Sequence, residues 1–291
     1  MTYLVAGIET GGTKIMCAIA GAENPSRILD VAIIPTLDPA ETIPQAQAFF
    51  AEHHAHTPIR GLAVASFGPV DVDATSATYG QLLNTPKTAW RGTDVREFAQ
   101  GLDDPAFALM TDVDGALLGE HRAGAAQNTT GAAYVTVGTG VGVSLLAGTE
   151  LVSGARRPEL GHVAVRRHAD DDFAGSCPTH GDCLEGMASG PALAQRRASQ
   201  DQEAIAQFCA YYVGQLCSTL ALTGIPELIV VGGGVSKIPG LLGSASDSMR
   251  QFLGDYLDTS QGAGVPPLKR PALGDYSGVT GALTTAASIA R

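Results

Sequence analysis

Between Glu159 and Pro191 the chain reads ELGHVAVRRHADDDFAGSCPTHGDCLEGMASGP, and Cys177, His180 and Cys183 fall within seven positions of it. Thiolate and imidazole at C-x2-H-x2-C spacing, on a loop containing glycine and proline, can close around one tetrahedral Zn²⁺. Three ligands leave one place open, and His162 is the candidate for it. The plain alternative is a set of Cys and His residues scattered over a surface loop, which so dense a cluster disfavours.

A second place for chemistry is Thr111-Asp112-Val113-Asp114-Gly115. Phe107 to Met110 reads as a strand and Ala116 to about Arg122 as a helix. A carboxylate where a strand gives way to a helix sits where α/β sheets bind ligands. Asp112 can there take a proton from a substrate hydroxyl, or it can simply cap the helix. Asp114 is the better placed for capping, which leaves Asp112 for chemistry.

Three glycine turns complete the set. Glu9-Thr10-Gly11-Gly12-Thr13-Lys14 joins the runs Leu4 to Glu9 and Lys14 to Ala20. Gly138-Thr139-Gly140-Val141-Gly142 joins Ala132 to Val137 and Val143 to Leu146. Each is a hairpin turn and also a potential phosphate cradle, because glycine lets backbone N–H groups approach an anion. Neither is a Walker P-loop, whose G-x4-G-K-[ST] pattern is absent. Two turns of one design suggest a duplicated architecture, each half offering one loop to the same anion. The third, Gly232-Gly233-Gly234-Val235-Ser236, follows the strand Glu227 to Val231. It is either a tight βα turn or a backbone approach site for a flat or phosphorylated ligand. A long irregular stretch from Tyr79 to Lys87 carries Asn84 and Thr85, which suit sugar hydroxyls as well as a plain turn.

These groups need elements to hold them. The 291 residues allow about two domains. The 36 glycines, many after apolar runs, favour α/β units. Further strands are expected at Arg27 to Pro35 and Gly61 to Ser66. Helices are expected at Glu41 to His54, Asp94 to Gln100, Ala204 to Thr223, Leu241 to Leu257 and Gly278 to Ile289, and an extended connection at Gly262 to Pro271. A net charge of −11 with no basic block disfavours nucleic acid as a partner. Met1 leads straight into an apolar run with no basic segment, so no signal peptide is expected. No run reaches the ~18 apolar residues of a membrane span. Five cysteines in an apparently cytoplasmic chain argue against a disulfide framework.

In this order and at these distances, the segments Gly7 to Lys14, Thr111 to Gly115, Gly138 to Gly142, Glu159 to His162 and Gly232 to Ser236 resemble the ROK family of sugar kinases. The resemblance spans essentially the whole chain. Asn84-Thr85-Pro86-Lys87-Thr88-Ala89-Trp90 and Asp171 to Pro178 look most like the bacterial fructokinases of that family. The resemblance implies an actin-like (ribonuclease-H-like) α/β fold of two domains around a central cleft. The smaller would hold residues 1–115 with 276–291, and the larger 116–275 with the zinc loop. It implies phosphoryl transfer from ATP to the C6 hydroxyl of fructose, with Asp112 as base and Mg²⁺ on the triphosphate. Gly11, Gly12, Thr13 and Lys14, with Gly138, Thr139 and Gly140, would meet the phosphates. Pro191, Gly232, Gly233, Gly234 and Ser236 would lie on the nucleotide side. Gly68, Asn84, Thr85, Glu159, His162 and Glu185 would bind sugar, and His162 would also reach the zinc beside Cys177, His180 and Cys183. Spacing alone does not place His162 there. A homodimer is implied as well.

Three departures stand out. Many relatives have Asp at the Glu9 position, Asn at the Asp114 position, and an all-cysteine loop where this chain has His180. Glu9 still offers a carboxylate to Mg²⁺ through water. Asp114 puts a second charge near the base, which raises its pKa if the two are close. Imidazole serves Zn²⁺ as well as thiolate does. The alternatives are a kinase for glucose or mannose, or a non-catalytic, sugar-responsive regulator. Regulators of this family carry an N-terminal helix-turn-helix, for which a first strand at about Leu4 leaves no room.

Overall fold

The apolar runs flanking the first glycine turn pair with each other. In the computed structural model, which describes residues 3–154, 157–257 and 264–290, β1 (Leu4–Thr10) and β2 (Lys14–Gly21) form an antiparallel hairpin with Thr10 opposite Ile15. β3 (Ile28–Pro35) adds antiparallel to β2. After α1 (Pro39–His54), β4 (Ile59–Ser66) lies parallel to β1 and β5 (Ala106–Thr111) parallel to β4. The order is β3-β2-β1-β4-β5. β1, β2 and β4 are buried on both faces, which is why they read as continuous apolar runs rather than alternating ones. One face packs Ile15, Cys17 and Ile34 against Phe50, Trp90 and Phe98.

α2 (Asp112–Ala123) starts four residues before the Ala116 expected from sequence. Its N-cap is Thr111, whose hydroxyl accepts from Asp114 N at 3.1 Å. The cap is therefore not Asp114, which is buried in the first turn at 2% exposure. Thr111 ends β5 with extended backbone, and a threonine hydroxyl there satisfies a free N–H of the first turn. The turn-like composition of Asp-Val-Asp-Gly conceals that. The expected helix at Asp94 to Gln100 is a 3-10 segment, Val95–Ala99, capped by the Asp94 carboxylate.

The second half repeats the plan. β6 (Gly131–Val137) and β7 (Val141–Ala147) form an antiparallel hairpin, and β8 (Glu150–Leu151) extends β7. Three helices follow: α3 (Leu184–Ala188), α4 (Gly190–Arg196) and α5 (Gln202–Leu222). β9 (Leu228–Gly232) lies parallel to β6. α6 (Leu241–Leu253) leads to β10 (Leu268–Lys269), which is parallel to β9. The order β8-β7-β6-β9-β10 has the same sequence of directions as the first sheet. α5 fills the core, with Phe208, Tyr212 and Leu216 against Val135, Val231 and Met249. By length and composition it is apolar enough to cross a bilayer, yet 67% of its most apolar stretch is buried. α6 ends at Leu253, short of the expected Leu257, because Gly254 turns left-handed at φ 55°. Gly262, the start of the expected extended connection, lies outside the described residues, as do Met1 and Arg291.

The last helix, α7 (Ser277–Ile289), packs on α2 and on the back of the first sheet through Val279, Leu283 and Ala286. The two helices touch backbone to backbone: a Cβ on Gly119 would lie 2.1 Å from Ser277 O. That contact explains the small-residue composition of α7. The described chain thus divides into two units, one of residues up to Gly124 with those from Asp275 on, the other Ala125–Gly274. α2 belongs wholly to the first.

Candidate active site and metal centre

Two carboxylates lie at helix starts in the first unit. Asp112 is the first residue of α2, at the C-terminal end of β5, and its Oδ1 accepts from Val113 N at 2.9 Å. Glu9, next to last in β1, accepts from Val279 N in the first turn of α7 at 3.1 Å. A Cβ on Gly278 would stand 2.4 Å from Glu9 Cδ, so glycine is required for the carboxyl to sit there. Burial pushes the Asp112 carboxyl up to about 6; the Val113 N–H partly offsets this and the charge on Asp114 adds to it. Burial pushes Glu9 up to about 7, with the charge on Asp112 adding. At about 6, Asp112 is mostly a carboxylate at neutral pH, as a proton acceptor requires.

The turn between β1 and β2 is held from outside by one threonine. Gly11 N donates to Lys14 O at 2.9 Å, Thr36 N to Thr13 O at 3.0 Å, and the Thr36 hydroxyl to Gly11 O at 2.8 Å. Gly12 and Thr13 are exposed. Lys14 turns to Asp275, 3.0 Å away. Lys87 lies beside Gly12 and donates to Thr36 O at 3.2 Å. Sequence reasoning gave neither Thr36 nor Lys87 a role. The signal for Lys87 was present in the Asn84 to Trp90 run. Gly68 follows Phe67, whose N–H donates to Thr10 Oγ1 at 3.0 Å, so it lies near the end of β1. Asn84 is exposed, whereas Thr85 is buried with its hydroxyl accepting from Lys87 N at 3.3 Å.

The matching turn of the second unit is braced differently. Gly138 N donates to Gly140 O at 2.9 Å, and Gly190 N donates to Gly138 O at 2.7 Å. Glu185 Oε2 accepts from Val141 N at 3.0 Å. Gly161 presses on the same residue: a Cβ there would lie 1.9 Å from Val141 O. Thr139 is exposed. The Gly232 to Gly234 turn lies alongside, with Gly234 N 4.0 Å from a Cβ placed on Gly138. Gly233 has φ 84°, and its carbonyl accepts from the Ser236 hydroxyl at 2.8 Å. Pro191 is exposed in the first turn of α4, which the Ser189 hydroxyl caps.

Beside this turn the structure brings His162, Cys177, His180 and Cys183 together, their ligand atoms all within 4.8 Å of one another. Cys177 Sγ lies 3.9 Å from His162 Nδ1 and 3.8 Å from His180 Nδ1, and Cys183 Sγ lies 3.6 Å from His162 Nδ1. Tetrahedral zinc at its usual bond lengths sets sulfur and nitrogen about 3.6 Å apart. Two soft sulfurs and two imidazoles at these separations fit the metal. His162 arrives on a short 3-10 turn, Leu160–His162, that follows the exposed Glu159. Cys183 immediately precedes α3, two residues before Glu185.

The approach to the cluster is anchored by an ion pair that sequence reasoning missed. Asp171 accepts from Arg196 Nη1 and Nη2 at 2.7 Å each and from the Tyr212 hydroxyl at 2.6 Å, and the side chains of the ion pair are fully buried. The guanidinium also lies 4.3 Å from the centre of the Phe173 ring. Burial raises the Asp171 carboxyl, but the bonds from Arg196 and Tyr212 outweigh it and hold the group at about 2.

A model of the ROK family matches residues 5–289. The chain belongs to the ROK family. It is 36% identical to a fructokinase of Zymomonas mobilis over 96% of this chain and 95% of that one. It is 34% identical to a fructokinase of Pediococcus pentosaceus over 97% of each. A ROK hexokinase from Thermus thermophilus superposes with a TM-score of 0.76 at 27% identity, covering 97% of each chain. The two sheets of one plan are the actin-like, ribonuclease-H-like sugar-kinase fold.

Proposed function

We propose that this protein is an ATP-dependent fructokinase that phosphorylates the C6 hydroxyl of fructose. The observation that carries the mechanism is Asp112, a carboxyl at the C-terminal end of β5 and the first residue of α2. Full-length likeness to two fructokinases supports the substrate. Asp112 accepts the proton of the attacking hydroxyl. Glu159, His162 and Glu185, with Gly68 and Asn84, orient the sugar, and the buried Thr85, expected as a sugar ligand, instead holds the loop that carries Asn84. The turns at Gly11 to Lys14 and Gly138 to Gly140 receive the phosphates through their N–H groups, and Gly232 to Ser236 with Pro191 receives the nucleoside. Phosphoryl transfer is mainly a problem of position and charge. Glu9 would hold Mg²⁺ through water, and that ion supplies charge neutralisation when bound. His162, Cys177, His180 and Cys183 would hold zinc, and four protein ligands make that role structural. The same reading places the protein in the cytoplasm as a homodimer. ATP consumption measured against fructose, glucose and mannose tests it. Fructose should be turned over fastest and yield fructose 6-phosphate. Faster turnover of glucose or mannose, or no hexose-dependent consumption, would contradict it.

A further inference from the structure

We propose that Lys87 is a phosphate ligand whose ammonium group sits over the Gly11-Gly12-Thr13 turn and binds the terminal phosphate of ATP. The assignment rests on the ATP-dependent reading above.

Backbone N–H groups offer an anion only partial charge, and this turn lacks the lysine that a P-loop builds into its own sequence. The nearest lysine in sequence, Lys14, is engaged by Asp275 at 3.0 Å. Lys87 comes from a segment more than seventy residues away, and its Cε lies 4.0 Å from where a Cβ on Gly12 would be. Its Nζ donates to Thr36 O at 3.2 Å. Thr36 is the residue that ties both ends of the turn, through Thr13 O and Gly11 O. One residue therefore fixes the shape of the turn and the position of the cation.

That partner is a neutral carbonyl, so the positive charge is not compensated by it. An ammonium has three donors, and two remain to point at an anion on the exposed Gly12 and Thr13.

Lys87 is also better placed than an ordinary surface lysine. It is half-buried. Its N–H donates to the buried Thr85 hydroxyl, and its carbonyl accepts from Trp90 N at 2.9 Å. Trp90 is 1% exposed and donates from Nε1 to Leu37 O at 2.7 Å. Arg91 Nε closes the loop on Thr85 O at 2.9 Å. A lysine whose backbone is pinned this way loses little freedom when it takes up a ligand.

Lys87→Met and Lys87→Arg test the assignment, with a non-hydrolysable ATP analogue and ADP as calorimetric probes beside steady-state kinetics. In Lys87→Met, affinity for the ATP analogue should fall about tenfold or more, and kcat should fall about 100-fold. Affinities for ADP and fructose, and the melting temperature, should stay close to wild type. Lys87→Arg should recover much of the loss. The assignment is overturned if Lys87→Met matches wild type for the ATP analogue and kcat. It is also overturned if ADP affinity and melting temperature fall together with the rest, since that marks a mere brace for Thr36. A wild type that binds no ATP analogue overturns the kinase reading and this assignment with it. Analogue binding by the wild type with Lys87→Met unchanged overturns Lys87 alone.

Discussion

The two glycine hairpins are built to one plan and kept in shape by different means. Both join the first two strands of a five-stranded sheet with the same strand order. The turn at Gly11 is tied by a hydroxyl, Thr36, and has a lysine over it, and Glu9 lies in the strand leading into it. The turn at Gly138 is tied by Glu185 on Val141 N and by Gly190 on Gly138 O, with Gly161 pressed on Val141 O. Glu185 lies two residues after Cys183 and Gly161 one before His162. The first turn has charged groups about it, Lys14 and Lys87, with Glu9 in the strand before it. The second is mechanically linked to the Cys/His cluster. One topology thus carries two bracing schemes; under the proposed function both turns meet phosphate, and only the second is also tied to the residues of the metal cluster.

The largest expected effect separates the two sides. Asp112→Asn should lower kcat by about 10² to 10⁴ while calorimetry finds fructose affinity near wild type. Wild-type turnover would remove Asp112 as the base. On the other side, Arg196→Ala leaves Asp171 buried without its partner and should cost about 3–5 kcal/mol in chemical unfolding. Where that variant remains folded, the acid limb of its pH profile should match wild type.

A smaller effect comes from pH. The folded chain holds the protons of Asp112 and Glu9 above the ordinary carboxylate range, at about 6 and about 7. It therefore binds more protons than the unfolded chain in that window. The contribution of both groups to stability falls as pH rises through it. Activity should run the other way, with the acid limb of kcat/KM near 6 as Asp112 becomes a base. A flat profile between pH 5 and about 7 would contradict the assignment. The smallest effect is Glu185→Gln, which keeps an acceptor for Val141 N but loses its charge. About 1 kcal/mol or less of local stability should go, seen as faster hydrogen exchange at the Val141 amide, with the amides around Thr36 unchanged.

Much of this plan was legible in the chain. Hairpins stood out because apolar runs flank glycine turns, and Cys177, His180 and Cys183 because ligand spacing is local. The start of α2 is hidden in the sequence, which points four residues too late, because Asp-Val-Asp-Gly has the composition of a turn and its cap, Thr111, looks like the end of a strand. Lys87 against Gly12, Glu185 on Val141 and Asp171 on Arg196 were not legible. Each joins segments far apart in sequence, and only the packing of intervening elements decides that they meet. His162 is intermediate: the resemblance placed it at the metal, and it follows Gly161, whose close fit on Val141 O sets its backbone beside the second turn.

The link between the Cys/His cluster and the sugar is tested most directly by stripping zinc from the wild-type protein with a chelator, removing the chelator, restoring Mg²⁺, and measuring fructose affinity and kcat at saturating fructose. The predicted result is a loss of fructose affinity of about tenfold or more, with kcat within a few-fold of the untreated protein. A fall in kcat as deep as that of Asp112→Asn, with fructose affinity unchanged, would contradict it.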